Sequence, residues 1–97
     1  MELNKRDFDA KIIGKLRELF EIKEEKTHHL AFKIFYKGRF VTKTRRSHGG
    51  GEMTDDAVYG VKRQLFLTMR ELQSLKECPL TAEGYMKLLK ERGLIKE

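Results

Sequence analysis

Three histidines lie near the two ends of one basic stretch of the chain, and they are the residues best suited to proton transfer. Imidazole exchanges a proton near neutral pH, and it often serves as a general acid or base. His28 and His29 lie near the start of the stretch, and His48 lies near its end, next to Arg45 and Arg46. Histidines beside cations that hold a phosphodiester are the minimal equipment for metal-independent RNA cleavage, in which a base activates the ribose 2′-OH.

The basic stretch comprises residues 26–51 and accounts for the excess charge of the chain. The 97 residues include 21 Lys and Arg against 15 Asp and Glu, a formal net charge of +6. The stretch has no acidic residue, and its cations are Lys26, Lys33, Lys37, Arg39, Lys43, Arg45 and Arg46. This concentration favours a polyanionic partner, because neutralising phosphates releases counterions. A solvated charged face without a partner is the alternative.

We therefore predict RNA as the partner and assign roles within the basic stretch. His28 is the candidate catalytic residue, and His48 is the candidate second one. The predicted nucleic-acid contacts are Lys26, His29, Lys33, Lys43, Arg45, Arg46, His48 and Gly49. For each histidine, a phosphate contact on an ordinary binding face is the competing interpretation.

Metal and cofactor chemistry is not expected. The basic stretch lacks the carboxylates that divalent-metal nucleases use. A zinc site made of the histidines and Cys78 is disfavoured, because adjacent strand residues point to opposite faces and no metal-ligand spacing is present. Cys78, the single cysteine, is interpreted as a structural thiol beside Pro79.

Two further features of the basic stretch leave alternatives open. The triple glycine at 49–51 precedes a helix, so its backbone amides could receive a phosphate, or it is a plain flexible connector. It is not a P-loop, because the Gly-Lys-Ser/Thr ending is missing. Phe35, Tyr36 and Phe40 could stack on a base if one faces outward, although core packing is the expected role in a small domain.

Periodicity predicts how these residues are positioned. Apolar spacing indicates a helix over 7–18 with Asp7 as its N-cap, and alternation then indicates a strand over 19–25. A hairpin follows, with arms at 28–36 and 39–45 around a turn at Lys37-Gly38. The apolar pair Phe40-Val41 leaves the inward parity of the second arm open. Because the arms are antiparallel, His28 or His29 should approach His48 at one end of the sheet.

The remaining sequence predicts helices. Thr54 caps a helix over 55–66, Thr68 and Glu71 have capping-box spacing, and Thr81 caps a last helix over 82–92 that stops at Gly93. The expected fold is an α+β domain, α-β-β-β-α with a three-stranded antiparallel sheet and additional C-terminal helices. We expect a single domain over 1–97, with a core at 1–66 and a helical extension at 67–97. No membrane span or signal peptide is apparent, so a cytoplasmic location is expected.

The residues that carry a family resemblance lie in the first three quarters of the chain. They are the helix and short strand, then the segments 26–32 (KTHHLAF), 38–42 (GRFVT) and 47–49 (SHG) before a helix. This order resembles the HicA family, the toxins of HicA/HicB toxin-antitoxin systems. The resemblance implies a double-stranded-RNA-binding-like fold, mRNA interferase activity with His28 as the catalytic residue, and a HicB-like antitoxin as partner.

Three hypotheses follow. The first is an RNA-binding domain of HicA-like type that acts as a metal-independent endoribonuclease through His28. The second is a non-catalytic module that binds RNA or another polyanion through the same face. The third assigns the C-terminal helices to protein interaction and the basic stretch to an acidic partner. The oligomeric state is not predicted by any of them.

Overall fold

The architecture is a three-stranded antiparallel sheet with helices packed on one face, which confirms the predicted α+β class. A computed structural model describes residues 1–77 and 79–95. The elements are α1 (residues 5–16), β1 (Glu21–Lys26), β2 (Leu30–Tyr36), β3 (Arg39–Arg46), α2 (Asp55–Gln64), α3 (Met69–Glu77) and α4 (Ala82–Glu91). The strands pair in the order β1-β2-β3. The helix, three strands and helix are followed by two further helices, as predicted.

The first helix, α1, begins earlier than predicted, and the assignment of Asp7 as its cap is wrong. Asn4 is the N-cap, because its side-chain oxygen accepts a hydrogen bond of 2.7 Å from the Asp7 backbone N–H. Both residue types favour this position, so the sequence alone did not separate them. The middle of the helix, Phe8–Ile13, is a π-helical turn, and the Gly14 N–H donates to the Asp9 carbonyl. This wide turn places Phe8, Ile12 and Ile13 in the core.

The hairpin of β2 and β3 closes at the predicted turn. Lys37 and Gly38 both have positive φ angles, 51° and 80°, as a type I′ hairpin turn requires. Beyond the turn, the pairing shifts so that Phe35 lies opposite Phe40 while Ile34 lies opposite Thr42. The shift makes a β-bulge that leaves one residue of β3 without a direct partner.

This bulge decides which side chains of β3 face the helices. Thr42 and Thr44 are buried on the inner side, where both hydroxyls donate to Gln64 of α2. Phe40 instead contacts Phe35, with ring centroids 5.7 Å apart. We call the side away from the helices the outer sheet face; its residues are Glu21, Lys23, Glu25, Ala31, Lys33, Phe35, Phe40, Lys43 and Arg45.

The helices after the sheet have the predicted caps. Thr54 and Thr81 accept hydrogen bonds at the starts of α2 and α4. Thr68 and Glu71 exchange two side-chain hydrogen bonds of 2.8 and 3.1 Å, which is a capping box. Gly93 follows α4 with a φ of 74°, the left-handed conformation that ends many helices.

One hydrophobic core joins the C-terminal helices to the sheet. Tyr85 and Leu89 of α4 are fully buried in the same cluster as Phe8 and Phe32, and the rings of Tyr85 and Phe20 lie 5.7 Å apart. Burial raises the pKa of Tyr85 far above its ordinary value. Across residues 1–77 and 79–95, no helix is long and apolar enough to cross a membrane. Among the residues that the structure describes, the helices pack on the inner side of the sheet, and no helix covers the outer sheet face.

Candidate nucleic-acid interface

The β1–β2 turn and the loop after β3 meet at one end of the sheet, which we call the histidine end. Leu30 at the start of β2 pairs with Arg46 at the end of β3, so residues 27–29 and residues 47–51 are neighbours. The His48 ring Nε2 lies 2.7 Å from the Thr27 carbonyl oxygen. The expected approach of the two histidine-bearing segments is therefore confirmed.

His28 and His29 lie in the turn and do not begin the second strand, so the predicted strand start at His28 is wrong. The Thr27 N–H donates to the His29 carbonyl at 3.0 Å, which closes the turn before β2 begins at Leu30. Both imidazoles are exposed. Their β-favouring neighbours concealed this boundary in the sequence, because a three-residue turn without glycine or proline has no strong signal.

His48 has a structural contact that restricts its chemistry. A carbonyl oxygen only accepts hydrogen bonds, so the Nε2 atom of His48 must carry the proton that it donates to Thr27. Only the Nδ1 atom then stays available for another partner. This hydrogen bond from His48 stabilises the turn that contains His28 and His29.

A small cleft lies beside the histidine end, between the edge strand β3 and α2. Its volume is about 310 Å³. His29, Arg45, Arg46 and Ser47 line the wall nearest the sheet end, and Asp56 and Gln64 line the α2 wall. Gly60 also borders it, and its lack of a side chain leaves the space open. His29, not His28, is therefore the turn histidine that lines this cleft.

Arg46 is held by the protein itself, although the sequence analysis assigned it to phosphate. Its Nε and Nη2 atoms donate to the two carboxylate oxygens of Asp9 at 2.7 and 2.6 Å. Its Nη1 atom donates to the carbonyls of Ser47 and Gly49 at 2.8 and 3.2 Å. The side chain is only 10% exposed, and the bond to Asp9 raises the pKa of Arg46. Arg46 therefore joins β3, α1 and the loop.

The glycine-rich loop is fastened to the start of α1. The Lys5 N–H donates to the Gly51 carbonyl at 2.9 Å, and the Lys5 ammonium donates to the His48 carbonyl at 3.1 Å. Gly49, a predicted nucleic-acid contact, is exposed with a φ of 87°, and its carbonyl accepts from Arg46. At the helix that follows, the acids of the first turn oppose an anion, so we place no phosphate at the start of α2.

The other predicted contacts are spread over two surfaces. Lys26 is exposed at the end of β1, beside the turn. Lys33 and Lys43 face each other across β2 and β3 on the outer sheet face. Glu25 forms an ion pair of 2.5 Å with Lys33, and the hydrogen bond from Lys33 lowers the pKa of Glu25. Lys26 therefore lies at the histidine end, whereas Lys33 and Lys43 lie on the outer sheet face.

Comparison of the chain with protein-family models, curated proteins and solved structures finds no significant match.

Two residues of this surface, Asp9 and Lys23, were not predicted from the sequence. Asp9 holds Arg46, although the two residues are far apart in sequence and only the fold brings them together. Lys23 pairs with Lys33 in the sheet and belongs to the same cationic row, but it precedes the acid-free stretch that drew attention. Strand alternation applied to β1 is the signal that could have found Lys23.

Metal ligands do not cluster in the part of the chain that the structure describes. Within those residues, no group of three or more His, Cys, Asp or Glu side chains could hold a metal ion. Cys78, the interpreted structural thiol, lies outside the described residues.

Proposed function

We propose that this chain is an RNA-binding domain of HicA-like type that contacts RNA at the histidine end. The observation that carries the proposal is the cleft in which His29, Arg45 and Ser47 converge. Arg45 presents a planar set of donors that suits a phosphate, and Ser47 adds a hydroxyl. On the opposite wall, Asp56 and Gln64 can hydrogen-bond to ribose hydroxyls or base edges.

The charge distribution supports a nucleic acid over a neutral ligand. Lys26, His28 and His29 are exposed in and beside the turn, and His29 lines the cleft. Cations that neutralise phosphates release counterions, so the affinity should fall steeply with salt. A domain that binds mRNA in this way would act in the cytoplasm, and the resemblance to HicA makes a HicB-like antitoxin its expected protein partner.

Metal-independent cleavage is the second candidate function, favoured by two adjacent exposed histidines in the turn, of which His29 lines the cleft. His29 contacts the phosphate together with Arg45, and His28 takes the proton from the ribose 2′-OH. The 2′ oxygen attacks phosphorus, the bond from phosphorus to the 5′ oxygen breaks, and that oxygen receives a proton from water or imidazolium. The products are a 2′,3′-cyclic phosphate and a 5′-hydroxyl. His48 keeps the turn in place through Thr27.

Binding and cleavage can be measured on the same proteins. Labelled single-stranded and duplex RNA are titrated by fluorescence anisotropy at several salt concentrations, and cleavage is followed on gels with chelator present. Arg45→Ala should weaken binding, whereas Lys87→Ala, an exposed cation on α4, should not. No measurable RNA affinity at low salt would contradict the proposed function and favour an acidic protein partner.

The histidine variants separate the two candidate functions. His28→Ala should abolish cleavage and leave affinity within about threefold of wild type, because His28 does not line the cleft. His29→Ala should weaken binding. Binding without cleavage by the wild-type chain would identify a non-catalytic module. Cleavage that survives His28→Ala would contradict the role of His28 as the base, and its loss in a His29→Ala variant that still binds RNA would assign that role to His29.

A further inference from the structure

The outer sheet face carries a pair of phenylalanine rings that folding alone does not explain. Phe35 and Phe40 lie opposite each other on β2 and β3, with ring centroids 5.7 Å apart at an angle of 75°. Phe40 is 57% exposed, more than any other large hydrophobic side chain noted within residues 1–77 and 79–95. Phe40 also borders a groove of about 830 Å³ between the hairpin tip and residues 93–95, which follow α4.

A row of three lysines crosses the same face. Lys23, Lys33 and Lys43 pair with one another across the three strands. Like charges at directly opposed positions repel, so this row disfavours folding unless neighbouring groups offset it. Glu25 offsets Lys33 at 2.5 Å, and the Lys23 ammonium lies 5.2 Å from the Phe35 ring centroid. Aromatic rings next to interstrand cations suit a ligand with both bases and phosphates.

Arg45 connects this face to the cleft at the histidine end. Lys43 and Arg45 are alternate residues of β3 and therefore point to the same side, about 7 Å apart along the strand. Arg45 also lines the cleft with His29. A continuous path therefore runs along β3 from Phe40 past Lys43 and Arg45 to the turn histidines.

We propose that the outer sheet face is a stacking platform for single-stranded RNA, with one base on Phe40 and the backbone along Lys43 and Arg45 towards the cleft. This inference rests on the proposed RNA-binding function and specifies its substrate class. The bases of a duplex are stacked inside the helix and cannot reach a phenylalanine ring, whereas unpaired bases can splay onto it. A duplex would contact only the cations.

The test compares two exposed aromatic residues in the full-length chain. Phe40→Ala removes the proposed stacking ring. Tyr59→Ala is the matched control, because Tyr59 on α2 is 52% exposed and also lies next to a cation. The Lys62 ammonium is 4.2 Å from the centroid of the Tyr59 ring. We expect Phe40→Ala to weaken single-stranded RNA binding about 5- to 100-fold, since loss of a base–aromatic stack has effects of this order. Tyr59→Ala should change the affinity less than twofold.

Four further measurements separate stacking from charge and from misfolding. Phe40→Tyr should retain most of the affinity and Phe40→Leu should not, because leucine keeps apolar area but has no ring. Duplex RNA affinity should be the same for Phe40→Ala and wild type. Lys43→Ala should reduce the slope of log affinity against log salt by about 0.7, whereas Phe40→Ala should leave the slope unchanged. An RNA with 2-aminopurine at the stacking position should lose fluorescence on wild type only.

The outcomes distinguish this inference from the function on which it rests. If wild type binds single-stranded RNA and Phe40→Ala binds it equally well, the stacking platform is wrong and RNA binding at the histidine end stands. If wild type binds no RNA, both are wrong. If Phe40→Ala leaves RNA affinity unchanged but dissociates an oligomer in analytical ultracentrifugation, the face serves a second copy of the chain and the platform is again overturned.

Discussion

Adjacent arginines at the end of β3 should have opposite phenotypes: Arg46→Ala should destabilise the fold, and Arg45→Ala should weaken RNA binding. Arg46 donates to both carboxylate oxygens of Asp9 and to the carbonyls of Ser47 and Gly49, and its side chain is 10% exposed. Arg45 is exposed, and it lines the cleft. The two residues share charge and size, are adjacent in sequence and both border the cleft, so each is a matched control for the other.

The magnitude for Arg46 follows from these contacts. Removing one partner of a buried ion pair costs about 3 to 5 kcal/mol. The Asp9 side chain is 40% exposed, so water replaces part of what it loses. We therefore expect Arg46→Ala to lower the free energy of unfolding by about 2 to 3 kcal/mol. In a domain of this size, that lowers Tm by roughly 8 to 24 °C. Arg45→Ala should cost under about 0.5 kcal/mol.

Thermal and urea unfolding, followed by circular dichroism, measure the stability of both variants. Arg46→Lys should recover only part of the loss, because an ammonium cannot bind the carboxylate in a bidentate manner. In a double-mutant cycle with Asp9→Ala, the two losses should not add. For RNA, Arg45→Ala should reduce the salt slope by about 0.7. The reasoning is refuted if Arg46→Ala unfolds within about 2 °C of wild type, or if Arg45→Ala is the less stable of the two.

The remaining predictions concern stability. Tyr85→Phe, which removes a buried hydroxyl that donates to a backbone carbonyl at 2.9 Å, should cost about 1 kcal/mol in urea unfolding; an unchanged midpoint would contradict this. The hydrogen bond from Arg92 lowers the pKa of Glu71. The ionised Glu71 therefore stabilises the fold at pH values above the ordinary pKa of glutamate, and this stabilisation is lost as the pH falls. Glu71→Gln, which keeps the capping box, should therefore be less stable than wild type at pH 7, with a gap in unfolding free energy that closes as pH falls below the ordinary glutamate range; a gap independent of pH would be inconsistent. Gly38→Ala should cost about 1 to 2 kcal/mol because φ is 80°, whereas Gly50→Ala should be near neutral; equal thermal midpoints would argue against the strain.

The elements with local signals could be predicted from the sequence. Thr54, the Thr68–Glu71 pair and Thr81 are caps in the structure because each supplies the side-chain oxygen that a helix start lacks. Lys37-Gly38 is the hairpin turn for the same local reason, since glycine adopts positive φ without strain. These features depend on a few consecutive residues, and the sequence contains all of them.

The features that depend on the fold could not be predicted. The turn pairs Phe40 with the outward Phe35, and the β-bulge then shifts the pairing between Ile34 and Phe35, so that Thr42 and Thr44 face the helices while Phe40 faces outward. Arg45 and Arg46 look equivalent in sequence, but the alternation after the bulge sends Arg46 towards α1 and leaves Arg45 exposed. The start of β2 was misplaced at His28, because nothing in residues 27–29 marks a turn.

The bonds that Arg46 and His48 make in the loop after β3 have a consequence for the thermodynamics of binding. A loop with three consecutive glycines would otherwise sample many conformations, and ordering it costs about 1 to 2 kcal/mol per residue. Here Arg46 and Lys5 already donate hydrogen bonds to the loop backbone in the unliganded chain, and the His48 ring is hydrogen-bonded to the Thr27 carbonyl. Much of that conformational entropy is lost during folding and not during association. A ligand at the histidine end therefore meets a preorganised surface, and association should proceed in a single kinetic phase without a slow ordering step.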